Sequence, residues 1–405
     1  VDALVSAGTG SGKTLAYLLP LLLKAEQERE RGGRRGCALI CSPSLLLCQQ
    51  IQEEAARLAE VAEVEPARLP LLFNPANVEG GRGRGDPLFL VSTPAHFLKA
   101  VRSLPLPPST VVMDEADALL SGSFLPLIEK GLAPLLRPRT TLERGEREEA
   151  ERRVPEKLRR HFRSSFGMSF PCLPSTQKVY VGATAPANGP LSPLAWMRAM
   201  SPSLHEVREE GANAVVDRAQ MRWEKVEGSN KKEEEKIKNE RVAAALAEMG
   251  VGREGSDEKV IIFCNTVQSV IALSSFLSAV GVHHSYVHKK VRKDEREEAL
   301  SAFKRSASAV LIGTDMLSRG LHLDRVTTVI QRDFALNSVE HVHRVGRTAR
   351  GVDSGKVLNI YTNSDEVLVS EMKKADSLGG GVEQAYSRQR SLRRRTKKAE
   401  QSKST

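Results

Sequence analysis

The segment that most constrains this chain is Ala7–Thr14, which reads AGTGSGKT and lies close to the first residue. A strand-like run, Ala3–Ser6, precedes it, and an apolar run of helical character, Leu15–Leu23, follows it. In a strand–loop–helix context, glycines let backbone N–H groups surround a polyphosphate, and the helix N-terminus adds positive potential. We therefore predict a phosphate-binding loop made of Ala7, Gly8, Thr9, Gly10, Ser11, Gly12, Lys13 and Thr14.

Two side chains of this loop have predicted chemical roles. Lys13 is expected to reach the outer phosphates, and the Thr14 hydroxyl is expected to be a ligand of Mg²⁺. A domain of this kind seldom begins so close to its phosphate-binding strand, so we expect the natural protein to have residues upstream of Val1.

The charge of the chain is concentrated at its end. The 405 residues suffice for two hydrophobic cores, each of roughly 150–200 residues. Of the net charge of +10, a net of +6 comes from residues 377–405, which carry eight Lys/Arg and two Asp/Glu. This tail is a candidate contact for a polyanion such as RNA, and the alternative is a solvated, disordered end.

The composition excludes several classes of protein. The sequence has no run of 18 consecutive apolar residues, so no membrane-spanning helix is predicted. None of the five cysteines forms a C-x2-C pair, and no histidine cluster completes a zinc site with them. We expect reduced thiols, an intracellular protein and no membrane partner.

Apolar runs of strand length alternate with helical patterns in two sets, which predicts two α/β domains with mainly parallel, helix-covered sheets. The runs are Ala38–Cys41, Phe89–Val91, Val111–Met113 and Val179–Val181, then Val260–Phe263, Ala309–Ile312, Thr328–Ile330 and Val357–Ile360. We predict domains over residues 1–205 and 206–376, followed by a basic, disordered tail over 377–405. The Glu- and Arg-rich segment near 137–165 predicts an exposed surface insertion with a charged helix, or alternatively a specific partner site.

The second site signal is the acidic run Asp114–Asp117, directly after the apolar strand Val111–Met113. The carboxyl end of a buried strand is where a nucleotide-bound Mg²⁺ is held. Asp114 is expected to hold the metal through its water shell, and Glu115 to orient or deprotonate the attacking water. Such a run alone is often a solvated turn, but its combination with the glycine–lysine loop favours the metal-binding interpretation.

The third signal is the basic run His343–Arg350. One interpretation is a solvated basic face. The alternative is that Arg347 and Arg350 reach the γ-phosphate from the second domain, a role that can supply roughly 10³–10⁵ in turnover. For His343 we predict a coupling role between the domains.

These motifs resemble, in order along the chain, those of the DEAD-box ATP-dependent RNA helicases of superfamily 2. The resemblance covers Val1 to about Thr362 and implies two RecA-like domains that close over ATP and single-stranded RNA, in a monomer. Aromatic residues are only 4% of the chain, so stacking on bases cannot be the main contact. Contacts to phosphates and 2′-hydroxyls would give largely sequence-independent RNA binding.

The resemblance also implies residue roles beyond the phosphate-binding loop. Gly320 would join Asp114 in nucleotide binding. The implied coupling residues are Asp117, Gly182, Ala183, Thr184 and His343. The implied RNA-binding residues are Pro43, Thr93, Pro94, Thr266, Thr314 and Arg344.

Several positions depart from the family pattern. Leu45 and Leu46 replace an arginine and a glutamate, and His96 replaces a second arginine, which predicts a weaker RNA contact in the first domain. Gly182 lacks a serine hydroxyl, whose hydrogen bond would be worth about 0.5–1.5 kcal/mol of coupling. His322 replaces an aspartate that contacts the ribose, and the upstream glutamine motif that recognises adenine is absent.

The leading hypothesis is an RNA-dependent ATPase that unwinds or remodels RNA locally. Short segments similar to organellar family members that act on ribosomal RNA favour rRNA processing, with ribosomal or other RNP proteins as partners. They favour a mitochondrion or chloroplast, with the nucleolus as the alternative. Competing hypotheses are a slow or non-catalytic ATP-gated RNA clamp and an inactive fragment.

Overall fold

The structure, a computed structural model, divides the chain into two compact units, Val1–Ala212 and Asn213–Thr405. The strand His205–Arg208 pairs with Ala3–Ser6, so the first unit extends beyond the predicted end at residue 205. The structure describes residues 1–8, 11–30, 37–61, 71–72, 89–104, 106–121, 124–138, 154–167, 171–172, 176–185, 191–209, 219–253, 255–318, 323, 325–348 and 355–377.

The first unit is built on a parallel sheet of seven strands in the order β3-β4-β2-β5-β8-β1-β9. Each predicted strand forms, because its run of apolar residues is buried between helices on both faces. The strands are β1 (Ala3–Ser6), β2 (Ala38–Cys41), β3 (Leu71–Leu72), β4 (Phe89–Ser92), β5 (Thr110–Asp114), β8 (Gln177–Gly182) and β9 (His205–Arg208), with a separate antiparallel pair β6 (Arg137–Pro138) and β7 (Pro171–Cys172).

Helices cover both faces of this sheet. They are α1 (Lys13–Glu30), α2 (Leu45–Val61), α3 (Pro94–Ser103), α4 (Ala116–Leu119), α5 (Leu125–Leu132), α6 (Glu156–Phe166) and α7 (Pro193–Met200). One core contains side chains of α1 and α2, and the other contains side chains of α3, α5, α6 and α7. The helix predicted over Leu15–Leu23 is longer than expected and tolerates Pro20.

The predicted surface insertion is wrong in its final part. Helix α6 places Leu158 and Phe162, four residues apart on one face, in the core of the first unit. Buried Glu129 of α5 accepts hydrogen bonds from His161 Nε2 (2.6 Å) and Trp196 Nε1 (3.1 Å). The apolar pair therefore anchors this helix, whereas residues 139–153 of the predicted insertion lie outside the described residues.

The second unit contains a six-stranded, all-parallel sheet in the order β10-β15-β14-β11-β13-β12. Its strands are β10 (Ala219–Lys225), β11 (Lys259–Phe263), β12 (Ser285–Val287), β13 (Ala309–Gly313), β14 (Thr328–Gln331) and β15 (Gly355–Tyr361). Its helices are α8 (Lys231–Glu248), α9 (Val267–Ala279), α10 (Lys293–Arg305), α11 (Ser338–Val345) and α12 (Glu366–Ser377). Side chains of α8 and α9 share one core with the central strands.

This architecture confirms the predicted fold class of two α/β units with parallel sheets. The predicted tail over 377–405 lies outside the described residues, apart from its first position. No helix in the described ranges is long and apolar enough to cross a membrane.

Candidate functional site

Three predicted motifs of the first unit meet at one edge of its sheet. The phosphate-binding loop follows β1, the acidic run begins at the end of β5, and Gly182–Thr184 ends β8. These strands are neighbours, and Ser6 is in register with Gly182 while Asp114 is in register with Val181. Because parallel strands end at the same edge, the fold assembles one site from segments far apart in sequence.

In the phosphate-binding loop, the chain's own carbonyl groups hold the lysine. Lys13 Nζ donates to Ala7 O (2.9 Å) and to Gly8 O (2.5 Å), and Ser11 Oγ donates to Gly8 O (2.8 Å). Gly12 has a φ of 84°, in the left-handed region that favours glycine. Thr9 and Gly10 lie outside the described residues.

Burial shifts the protonation of this lysine. Desolvation lowers the pKa of Lys13, and the carboxylates of Glu115 and Asp114 oppose that shift. A polyphosphate could therefore replace the carbonyl groups as the partner of a cation that is already partly desolvated.

Asp114 and Glu115 form a buried acidic pair beside the loop. Burial, followed by the charge of Glu115, raises the pKa of Asp114 to about 7, although Lys13 acts in the opposite direction. Glu115 has φ 53° and ψ 50°, a left-handed conformation that is strained for a residue with a side chain. A divalent cation would relieve the repulsion within this pair.

Asp117 connects the acidic run to the end of β8. It is buried and accepts hydrogen bonds from Ala118 N (2.9 Å) and from Thr184 Oγ1. A Cβ atom added at Gly182 would lie 3.5 Å from Asp117 Oδ1, so a serine hydroxyl there would also be close to this carboxylate. In this chain Thr184 connects the end of β8 to Asp117. Ala183, between Gly182 and Thr184 in the sequence, is buried.

The predicted RNA residues of the first unit follow two adjacent strands. Pro43 comes after β2 and Thr93 after β4, with Cys41 in register with Ser92. Thr93 is the N-cap of α3, and Pro94 is its first residue.

Neither position at which the family pattern has an arginine supplies a permanent positive charge. Thr93 Oγ1 and His96 Nδ1 are 3.3 Å apart, so the histidine that replaces the arginine contacts its own N-cap. Leu45 is exposed at the start of α2. The first unit therefore offers RNA less charge here than the family pattern does.

In the second unit, Arg344 is the centre of a buried network. Its Nε donates to Asp315 Oδ1, its Nη1 to Asp333 O and its Nη2 to Asn265 Oδ1, each at 2.7 Å. The guanidinium also lies over the Phe263 ring, 5.2 Å from its centroid. This geometry favours a positioning role for Arg344 over the predicted direct RNA contact.

Thr266 and Thr314 lie at one edge of the second sheet, because Phe263 of β11 is in register with Gly313 of β13. Thr266 is the exposed N-cap of α9, and its Oγ1 accepts a hydrogen bond from Ser269 N (3.0 Å). Both hydroxyl groups follow strand ends that Arg344 holds through Asn265 and Asp315. This placement suits contacts to an RNA backbone.

The remaining predicted residues of this unit are only partly described. His343 lies near the end of α11, and Arg347 lies in the turn that follows, where its N–H donates to Arg344 O (3.1 Å). Gly320, His322 and Arg350 lie outside the described residues.

Sequence reasoning missed Asp333, which contacts both Arg344 and Asn265 of the buried network. Its Oδ1 pairs with Arg332 Nη1 (2.6 Å), and its Oδ2 accepts from Asn265 N (2.9 Å). Burial raises the pKa of Asp333, but Arg332 and Lys238 outweigh that effect and hold it below its usual value. The signal in the sequence was the charged pair Arg332–Asp333 directly after β14, one residue beyond the apolar run Thr328–Ile330.

Sequence reasoning also missed a basic turn, residues 288–291, at the end of β12. The turn is built: His288 Nδ1 accepts from Lys290 N (3.2 Å), His288 O accepts from Val291 N (3.0 Å), and the Tyr286 ring stacks on His288. Lys289 and Lys290 are exposed, and no ion pair holds either of them within the described residues. The run His288–Lys293 was the signal.

A third missed residue is Glu209, directly after β9. The backbone N–H of Gly8 donates to Glu209 Oε2 (2.9 Å), so a carboxylate of the chain itself contacts the phosphate-binding loop. Exposed acidic residues at the end of an edge strand carry no signal in the sequence.

Two family models match the chain. The DEAD/DEAH box helicase model matches residues 1–145, and the helicase conserved C-terminal domain model matches residues 238–352. Each match falls within one of the two structural units. The first contains the phosphate-binding loop and Asp114–Asp117, but ends before Gly182–Thr184, and the second contains Thr266, Thr314 and His343–Arg350.

Curated relatives extend the match over the whole chain. DEAD-box ATP-dependent RNA helicase 22 of Oryza sativa subsp. japonica is 29% identical over 474 residues, which cover 100% of this chain and 78% of the rice protein. The probable ATP-dependent RNA helicase DDX23 of Homo sapiens is 28% identical over 390 residues, which cover 92% of this chain and 43% of the human protein.

Solved structures show the same fold. S. cerevisiae Dbp5 bound to RNA and ADP BeF3 matches with a TM-score of 0.65 and 19% identity, covering 92% of this chain and 82% of that chain. This likeness confirms the predicted tandem RecA-like architecture.

Proposed function

The chain belongs to the DEAD-box family of ATP-dependent RNA helicases, and from that premise we propose that it hydrolyses ATP with Mg²⁺ to unwind or remodel RNA locally. The observation that carries the proposal is the meeting of the phosphate-binding loop, the acidic run and Gly182–Thr184 at one sheet edge. Phosphoryl transfer needs this combination of a cation, a metal-holding carboxylate and a group that positions water.

Thr14 and Asp114 fit a magnesium ion. Both offer oxygen atoms, which Mg²⁺ prefers, and the raised pKa of Asp114 indicates a carboxylate that gains from a nearby cation. When bound, Mg²⁺ neutralises charge on the phosphates.

The chain's own residues supply the remaining steps of the proposed hydrolysis. The Lys13 ammonium exchanges its hydrogen bonds to the carbonyl groups of Ala7 and Gly8 for contacts with the phosphates. Glu115, strained and adjacent to Asp114, accepts or orients a proton of the attacking water.

We further propose that Arg347 and Arg350 stabilise charge on the transferred phosphoryl group. Replacement of Arg347 by alanine should lower hydrolysis while nucleotide binding survives. Equal loss of hydrolysis and binding would argue against this role. His343, Asp117 and Thr184 are proposed to couple hydrolysis to RNA binding.

RNA is the proposed polymer, and its class is a finer proposal. The matched proteins include S. cerevisiae Dbp5 bound to RNA and a Neosartorya fischeri protein named pre-mRNA-splicing ATP-dependent RNA helicase prp28. Segments similar to organellar family members support rRNA processing in a mitochondrion or chloroplast as our proposal, with RNP proteins as partners. Crosslinking in cells followed by sequencing would recover rRNA under this proposal, and spliceosomal RNA or pre-mRNA would contradict it.

A second candidate is an ATP-gated RNA clamp, which Leu45 and His96 favour because they remove charge from the first unit. Strand separation of a short RNA duplex distinguishes the two. A helicase separates the strands with ATP, and its Glu115→Gln variant does not. A clamp holds the duplex or single strand with ATP but leaves strand separation at the level of that variant.

A further inference from the structure

Glu209 places a negative charge on the phosphate-binding loop. Its backbone N–H donates to Ser6 O (2.9 Å), which continues the pairing of β9 with β1 beyond Arg208. Its side chain accepts the hydrogen bond from Gly8 N (2.9 Å). The carboxylate therefore reaches the loop from a strand end whose position the sheet fixes.

Gly8 is held from both sides by opposite charges of the chain. Its N–H group contacts Glu209, and its carbonyl group accepts a hydrogen bond from Lys13 Nζ (2.5 Å). Lys13 also experiences the charge of Glu209, which opposes the lowering of the lysine pKa by burial together with Glu115 and Asp114. In this state an internal anion and an internal cation contact the two backbone polar groups of Gly8.

The N–H groups of such a loop are an anion receptor, and a carboxylate on one of them takes the place of an external oxyanion. Resting on the proposed nucleotide site, we propose that Glu209 is an internal anion that competes with phosphate oxygens for this loop and sets the affinity for ATP and ADP. A polyphosphate that enters the loop brings negative charge close to this carboxylate, so the repulsion weakens binding and speeds product release.

A purely positioning role of Glu209 predicts the opposite change in nucleotide affinity. If Glu209 only positioned the loop through its hydrogen bond, glutamine would preserve binding because its amide oxygen also accepts, and alanine would weaken binding. If the charge competes with phosphate, both replacements strengthen binding. The pair of variants therefore separates charge from hydrogen bonding.

The experiment measures Mg-ATP and Mg-ADP dissociation constants of the full chain by titration calorimetry at low and high salt. We expect E209Q to lower both Kd values by about threefold to tenfold at low salt. The difference should shrink at roughly 0.5 M salt, because the interaction is between charges near solvent. E209A should also bind more tightly, and the exposed E53Q variant on α2 controls for net charge.

Lys13→Ala separates failure of this inference from failure of the proposed function. If K13A abolishes binding while E209Q binds as weakly as wild type or more weakly, the inference is overturned and the nucleotide site stands. If K13A still binds ATP like wild type, the nucleotide site itself is wrong. Tighter binding by E209Q, unchanged binding by E53Q and loss of binding by K13A support the inference.

Discussion

The two units use the carboxyl edges of their parallel sheets in different ways. In the first unit the edge collects a buried acidic pair and a lysine held by backbone carbonyl groups. In the second unit it collects a buried arginine network and an exposed basic turn with Lys289 and Lys290. The same topology therefore carries an acidic pair with a lysine in one unit, which suits the proposed metal and phosphate chemistry, and exposed lysines in the other, which suit the proposed contact with a polyanion.

The two units also differ in the positive charge near these edges. At Leu45 and His96 the first unit lacks the arginines of the family pattern. The second unit presents two exposed lysines at the end of its outermost strand β12. We infer that hydrolysis depends on the first unit, apart from the proposed contribution of Arg347 and Arg350, and that much of the electrostatic attraction for RNA comes from the second.

The largest expected effect is on hydrolysis by the first unit. Glu115→Gln removes the carboxylate that accepts or orients the proton of water, so ATP turnover should fall by about 10²–10⁴. Nucleotide binding should survive, because Lys13 and the loop are unchanged. Steady-state turnover and equilibrium binding test this, with the exposed Glu53→Gln variant as control; a turnover within a few-fold of wild type would remove Glu115 from the mechanism.

The next effect concerns the buried network of the second unit. Arg344→Ala leaves Asp315 without its cation and removes the buried donors to Asp333 O and Asn265 Oδ1, which should lower the free energy of unfolding by about 3–5 kcal/mol. Arg222→Ala is the matched control in the same unit. Arg222 itself is exposed in its pairs with Glu224 and Glu248, so its loss should cost less than about 1 kcal/mol.

Denaturant unfolding measures both variants. If Arg344→Ala and Arg222→Ala destabilised the protein equally, Arg344 would not be the centre of a network. That result would favour the predicted direct contact of Arg344 with RNA.

The acidic pair makes the stability of the first unit depend on pH. The pKa of Asp114 is about 7 in the folded protein and 3.8 as its ordinary value, so the folded state binds more protons between these values. This contribution to stability is fully present below about pH 4 and is lost as pH rises through about 7. It amounts to a few kcal/mol, since one pKa unit corresponds to about 1.4 kcal/mol.

Unfolding of the nucleotide-free protein from pH 4 to 8 measures this effect. Wild type should lose more stability over the range than Asp114→Asn, which cannot titrate at this position. Affinity for Mg-ATP should rise as Asp114 deprotonates near pH 7. Parallel pH profiles for the two proteins would show that Asp114 does not experience the repulsion described.

A smaller effect tests the basic turn of the second unit. The double replacement of Lys289 and Lys290 by glutamine should weaken binding of single-stranded RNA. It should also reduce the slope of log affinity against log salt by roughly 0.7 for each lost phosphate contact. Lys231 and Lys232, exposed at the start of α8, follow β10 at the opposite end of the sheet and give a control with the same charge change.

RNA binding over a series of salt concentrations separates the two double variants. Equal slopes for both would mean that only net charge matters. The inference that the basic turn of the second unit attracts RNA would then be contradicted.

The smallest effect is expected at Gly182. Serine would place its Cβ 3.2 Å from Thr184 O and 3.5 Å from Asp117 Oδ1, so a new hydrogen bond comes with crowding. Because Thr184 already donates to Asp117, RNA-stimulated turnover should change by less than about tenfold. A larger gain would show that Thr184 does not replace the missing hydroxyl.

The sequence predicted the parts of the site that are local. The phosphate-binding loop and Asp114–Asp117 each follow an apolar strand, and parallel topology brings such strand ends together. Features that depend on distant partners were missed or, in the case of α6, predicted wrongly. Glu209 meets Gly8 only through strand pairing, Arg344 is enclosed by residues from three other segments, and α6 is anchored by an apolar pair hidden in a charged segment.

ATP turnover as a function of single-stranded RNA concentration tests the central claim most directly. Wild type should be stimulated by RNA and much less by DNA of the same sequence. The Lys289/Lys290 double variant should need more RNA for half-maximal stimulation while reaching the same plateau, because its first-unit chemistry is intact. Turnover independent of RNA, or a lowered plateau with an unchanged midpoint, would contradict the division of roles between the two units.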